Sequence, residues 1–187
     1  FDAAAFTNLT EDHLDFHKTM DHYCDTKAEL FRRCGKGVIN ADDSYADRFL
    51  DAADCEVITT SVAGAGDLTA RNLELRADGI RFTAVLNGEE VPVCLGIPGR
   101  FTVYNALTVL GLAVSLGISL ADAAAARGAE VALFGHSHIP HAEQRGNVFL
   151  FNPGSCGRCY TGPDTYGLLT LENGAVTAYE HKEVPKQ

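Results

Sequence analysis

No apolar run in this sequence approaches the roughly twenty residues that a membrane helix needs. The longest candidate, residues 103–117, is too short and is broken by Gly111, so no membrane partner is expected. Basic side chains are scarce too, fifteen against twenty-five acidic ones, for a net charge of −10. Non-specific nucleic-acid binding needs clustered Lys and Arg to displace counterions from phosphates, which excludes that class. Anionic ligands would instead be held locally, through metals or helix N-termini. The six cysteines, at 24, 34, 55, 94, 156 and 159, follow no disulfide-framework spacing. No signal peptide is recognisable, and together these predict reduced thiols in a cytoplasmic setting. An initiating methionine is also missing: the chain opens at Phe1 in mid-pattern, the expectation for a fragment with further sequence upstream. What is present is globular in character. An apolar fraction of 46% in 187 residues suits one ordinary domain or two small ones.

Along the chain, residues 7–16 read as a polar loop entering a helix that Thr10 would cap. That helix is expected to run to Cys34 with an apolar stripe at Met20, Tyr23, Cys24, Leu30, Phe31 and Cys34. "GVINADD" reads as a buried strand ending in two carboxylates, and "CEVITTSV" as a second strand. From Leu68 to Leu95 the period changes to two, with turn signals at "ADG" and "NGEE", which predicts a small antiparallel sheet. A helix follows over residues 103–116, closed by Gly117, and Ser119 can cap the next, "LADAAAAR". Beyond it "EVALFG" and "NVFLFN" read as strands, and "YGLLTLENGAVTAYE" as a hairpin through Asn173-Gly174. The alanine-rich stretch 121–128 separates these two characters.

Two features of the first part carry chemistry. Lys27 lies seven residues after Met20 and four after Tyr23, so it points along the apolar stripe of its helix. Its head can snorkel to water, or its amine can be modified or held against a metal or anion. "DHLDFH" packs Asp12, His13, Asp15 and His17 into six residues. Those are either hard-to-borderline metal ligands or a solvated helix start.

"FTNLTEDHLDFHKTMDHYCDTKAELF", then "VINADD", then "GIPGRFTVYNALTVLGLAVSLGI" resembles the central domain of the Mur ligases, in the UDP-N-acetylmuramoyl-tripeptide synthetase branch. The resemblance implies an ATP-dependent amide ligase of peptidoglycan synthesis. It would use Mg²⁺, a UDP-linked muramoyl peptide and an amino acid. It also implies that Asn8, Asp12 and His13 lie beside the nucleotide phosphates, with His13 on Mg²⁺. Lys27 would be carbamylated, a catalytic and metal-binding anion, and Asn105 would contact the nucleotide. Thr102 stands where the family has the asparagine that contacts adenine. The family's G-x-x-G-K-[ST] loop and the glutamate after it have no counterpart here. Nor does the domain that binds the amino acid, so turnover is not expected.

"FGHSHIPH" places His136 and His138 after a buried strand, and "FLFNPGSCG" ends another in an Asn-Pro-Gly-Ser turn. Together they resemble the C-terminal portion of calcineurin-like metallophosphoesterases. That implies His136 and His138 on a dinuclear Mn²⁺-type centre, supported by the turn residues Asn152, Gly154 and Ser155. The family's other ligand elements are missing, which leaves a weak metal site. Cys156 and Cys159 form a C-x-x-C pair, too few ligands for a zinc site.

The expected fold is therefore α/β in two incomplete lobes: a partial Mur-ligase domain over 1–120, an alanine-rich seam at 121–128, and a β-rich partial phosphoesterase lobe over 129–187. Neither lobe is expected to hold its nucleating parallel strands, and the joint should be soft over 118–128. Three readings of function follow: an inactive ligase fragment with a foreign tail, a metal-dependent phosphodiesterase, or a non-catalytic chimera produced by gene fusion or misassembly.

Overall fold

The computed structural model describes residues 1–11, 14–125, 131–133, 135, 137–146, 148–157, 162–172 and 175–185. They fall into two compact units, Phe1–Ala126 and Arg127–Gln187.

The first unit is built on one six-stranded sheet whose spatial order follows the chain. Strand β1 (Ala3–Phe6) leads to the short helix α1 (Leu14–His17), to α2 (Met20–Ala28) and to a 3₁₀ turn at Glu29–Arg32. Then come β2 (Lys36–Asn40), α3 (Ala46–Ala52), β3 (Glu56–Ser61), and the meander β4 (Leu68–Arg76), β5 (Gly79–Leu86) and β6 (Glu89–Leu95). Helices α4 (Arg100–Ser115) and α5 (Leu120–Ala125) close the unit. Strands β1 to β4 pair in parallel and β4 to β6 antiparallel.

The parallel strands sit between helices on both faces. Ile39 joins Phe6, Phe31 and Phe49 in one core, where the Phe6 and Phe49 rings stack at 3.7 Å between centroids. Val38 turns the other way, to α4. A side chain at Gly111 would come within 2.9 Å of Val38, so glycine there lets α4 lie close on β2. This two-sided burial explains why Val38 and Ile39 are adjacent apolar residues, both fully buried, while the meander alternates. On the meander, Leu68, Ile80, Phe82, Ala84, Leu86 and Val93 pack against Val103, Leu107 and Leu110 of α4 and Leu120 of α5.

Several expectations change here. The single helix from Thr10 to Cys34 is broken: Lys18 takes φ +67°, and Thr19, extended at φ −138°, caps α2 by accepting from the His22 N–H at 3.2 Å. The cap is thus Thr19, not Thr10. Lys27 leaves the apolar stripe, because the buried residues of α2 are Tyr23, Cys24 and Ala28 while Lys27 is exposed. The antiparallel strands are no separate small sheet; parallel pairing of Thr60 and Ser61 of β3 with Leu68 and Thr69 of β4 fuses them to the parallel part. The first unit does hold parallel strands at its centre, contrary to expectation. Helix α4 starts at Arg100, three residues before the expected Val103. Gly117 (φ +92°) follows its end, and Ser119 accepts from the Asp122 N–H as a cap.

In the second unit β7 (Val131–Leu133) pairs in parallel with β9 (Val148–Asn152), and β8 (His141–Arg145) runs antiparallel on the other side of β9. Strand β8 carries no apolar alternation and was not expected. The hairpin β10 (Thr165–Glu172) and β11 (Ala175–Glu183) forms a two-stranded sheet of its own; its predicted Asn173-Gly174 turn lies outside the described residues.

Candidate functional site

Because β1, β2 and β3 are parallel, their carboxyl ends share one edge of the sheet, where open α/β sheets place ligands. A cavity of about 270 Å³ opens there. It is lined by Thr7, Asn8 and Thr10 after β1, by Asn40, Asp42 and Asp43 at the end of β2, and by Phe101, Tyr104 and Asn105 in the first turns of α4.

Local hydrogen bonds hold these loops in place. Buried Asn40 donates to the Thr7 carbonyl at 2.8 Å and accepts from the Asp42 N–H at 3.1 Å. Asp43 accepts from the Leu9 N–H at 3.2 Å and from the Tyr45 N–H at 2.9 Å, tying the β1 loop to the start of α3. Asp42 reaches the end of β3, accepting from the Ser61 hydroxyl at 2.5 Å, the Val62 N–H at 2.7 Å and the Ala63 N–H at 3.0 Å. Burial works to raise its pKa. The bonds from Ser61, Ala63, Val62 and the Tyr104 hydroxyl outweigh that and hold the carboxyl below its ordinary value.

Of the residues singled out in the sequence, Asn8 and Asn105 meet at this cavity. Thr102 is not among its lining residues; its hydroxyl donates back to the Pro98 carbonyl at 3.3 Å. Lys27 is not among them either, and its Nζ lies 5.1 Å from the centre of the Tyr23 ring. Asp12 and His13 lie outside the described residues. Sequence reasoning missed Asn40, Ser61 and Tyr104 as site-shaping groups. Asn40 alone left a local signal, an asparagine ending a strand two residues before an aspartate.

The donors suit a nucleotide better than a metal. Amides and hydroxyls face the cavity, and the Phe101 ring, 81% exposed, offers a flat apolar surface. Asp42 and Asp43, in contrast, are engaged by backbone and side-chain donors. Among the described residues no group of three His, Cys, Asp or Glu side chains is placed to hold a metal ion.

In the second unit the parallel pairing of β7 with β9 brings the loop after β7 to the Asn-Pro-Gly-Ser turn. Asn152, fully buried, donates to the Ser137 hydroxyl at 3.0 Å and the Gly135 carbonyl at 3.4 Å, and accepts from the Gly154 N–H at 3.0 Å. Its own carbonyl lies 2.8 Å from His181 Nε2. Gly154 (φ +88°) passes so close to Thr165 that any side chain would strike the Thr165 hydroxyl. Ser155 contributes its carbonyl to the Thr165 N–H at 2.8 Å. His138 has φ +58°, and His136 lies outside the described residues.

The family match lies within the first unit. Residues 1–113 match the family model of the Mur ligase middle domain. The UDP-N-acetylmuramoyl-L-alanyl-D-glutamate–2,6-diaminopimelate ligase of Clostridium botulinum is 42% identical over 120 residues, covering 64% of this chain and 25% of that protein. The ligase of the same name from Xylella fastidiosa is 40% identical over 131 residues, 67% of this chain and 26% of that protein. The chain thus spans about a quarter of the length of these curated relatives. A solved structure of a ligase of that name superposes with a TM-score of 0.62 at 25% identity, over 72% of this chain and 32% of its own. MurF from Acinetobacter baumannii superposes with a TM-score of 0.62 at 22% identity, over 80% of this chain and 33% of its own, a likeness of fold alone. The expected phosphoesterase tail gains no support from these comparisons. With the family match spanning more than half of its 187 residues, the chain belongs to the Mur ligase middle-domain family.

Proposed function

We propose that the chain supplies the nucleotide-facing part of a cytoplasmic, ATP- and Mg²⁺-dependent ligase that joins an amino acid to a UDP-linked muramoyl peptide. The observation that supports this reading is the 270 Å³ cavity at the carboxyl ends of β1 and β2, where Asn8 and Asn105 converge. ATP bound there would activate a substrate carboxylate as an acyl phosphate. The chain's own part is to bind and orient: Asn8 and Asn105 offer amide donors and acceptors, and the first turn of α4 presents backbone N–H groups that favour an anion. Asp42 and Asp43 act one step back, by fixing the loops that carry these groups.

Equilibrium binding of a fluorescent ADP analogue tests the reading. Asn105→Ala and Asn8→Ala should each weaken binding about tenfold, the scale of a lost hydrogen bond between protein and ligand. Unchanged affinity in both variants would refute it.

The carbamylation of Lys27 belongs here too, as does a Mg²⁺ contact from His13. Carbon-13 NMR in ¹³C-bicarbonate should then show one carbamate resonance that Lys27→Ala removes. No such resonance would leave Lys27 as the cation held on Tyr23.

A second reading rests on Asn152, whose amide ties the turn 152–155 to residues 135 and 137. It keeps a phosphodiesterase-type metal site at His136 and His138 as a proposal. Hydrolysis of bis-p-nitrophenyl phosphate with Mn²⁺, lost in the double His→Ala variant, would support it; no hydrolysis would end it.

A further inference from the structure

Two thiols meet at the edge of the sheet opposite the cavity. Cys34 lies two residues before β2 and Cys55 one residue before β3, and their sulfurs are 3.5 Å apart. Strands β2 and β3 are in register from Lys36 and Glu56 onward, so the ladder holds the two backbones in place. Cys34 is 9% exposed and directs its S–H to the Phe31 carbonyl, 3.7 Å away. Its sulfur is then left to accept from Cys55. Cys55 is half-buried, so a small oxidant reaches it first. All the described cysteines are free.

We infer that Cys34 and Cys55 form a reversible dithiol–disulfide couple, a modification site that staples the starts of β2 and β3. The oxidant is a low-molecular-weight disulfide of the glutathione class. The Cys55 thiolate attacks one of its sulfurs, its S–S bond breaks, and one small thiol leaves. Cys34 then attacks the Cys55 sulfur of the mixed disulfide and expels the second small thiol. Two protons pass from the protein thiols to the two leaving thiols, and two electrons reduce the oxidant. The sulfurs must close from 3.5 Å to about 2.05 Å.

Burial, followed by the hydrogen bond with Cys34, pushes the Cys55 thiol up to about 11. Its thiolate is scarce at neutral pH, so the couple closes slowly there and faster in alkali. The closed form constrains the unfolded chain across β2 and α3.

The test uses the full chain with oxidised glutathione, alkylation of the remaining thiols and non-reducing peptide mapping. A Cys34–Cys55 cross-linked peptide should form, its initial rate rising close to tenfold per pH unit between about pH 7.5 and about pH 9.5. The oxidised protein should melt several degrees higher, and Cys55→Ser should abolish both cross-link and shift. If Cys34→Ser fails to fold, Cys55→Ser and Cys55→Ala, at the half-exposed partner, carry the comparison. Three results would overturn the inference: Cys55 halting as the mixed glutathione disulfide, oxidation confined to a Cys156–Cys159 link, or an oxidised chain that melts no higher than the reduced one.

Discussion

At the residue scale, Asp42 joins the ends of β2 and β3 by accepting from Ser61, Val62 and Ala63. Asn at this position keeps the shape but leaves one acceptor oxygen for the N–H groups and brings a donor against them. Asp42→Asn should therefore cost about 1–3 kcal/mol of stability, measured as a lower urea midpoint at neutral pH. The pH dependence has a definite sign. The folded carboxyl titrates below its ordinary value of 3.8. Its contribution is thus complete above that value and is lost as pH falls through the lower folded pKa. Asp42→Asn should flatten that acid limb, and an unchanged limb would show that other carboxylates cause it. The sequence displayed Asp42 and Asp43 as carboxylates ending a strand, but the partners of Asp42 come from the end of β3 and from α4, and Asp43 reaches back to the Leu9 N–H after β1; no local spacing announces partners so far along the chain. Lys27 shows the converse: its position relative to Met20 and Tyr23 read as apolar-stripe, yet the buried face of α2 runs through Tyr23, Cys24 and Ala28, which leaves Lys27 at its exposed edge.

At the element scale, strands with a strong period were legible and short or irregular ones were not. The meander alternates because only one of its faces packs on α4 and α5, and its turns carry Gly and Asn. Strand β1, "AAAF", has no period to read and exists through its pairing with β2. The helix break went unseen because Lys18 gives no warning of a left-handed φ, and Thr10, a threonine followed by acidic residues, has the composition of a cap. Substitution separates the two. Thr19→Ala should cost about 1 kcal/mol of stability through the lost N-cap, while Thr10→Ala should leave the denaturation midpoint unchanged within error. Equal losses from both would restore the single long helix.

At the scale of the whole molecule, the chain divides at Ala126–Arg127 into two units, each with its own sheets. Between Arg100 and Arg145 the only trypsin site is Arg127. From the division into two units, brief trypsin treatment should cut at Arg127 and release an intact first unit, seen by mass spectrometry. A chain that resists cleavage there while being cut inside the sheet would contradict a two-unit description. The sequence hinted at this division through its change of character near the alanine-rich stretch. It misjudged the first unit, because its parallel strands depend on non-local pairings, Ala3 of β1 with Lys36 of β2 and Lys36 with Glu56 of β3.

The cavity is the centre of the functional account, and amide chemical-shift mapping tests it most directly. ADP added to the ¹⁵N-labelled chain should perturb a contiguous set of amides at Thr7–Thr10, Asp42–Asp43 and Phe101–Asn105, with Asn105→Ala weakening the response. Saturating nucleotide that leaves those amides unmoved, or shifts only residues of the second unit, would contradict the assignment of this cavity as the nucleotide site.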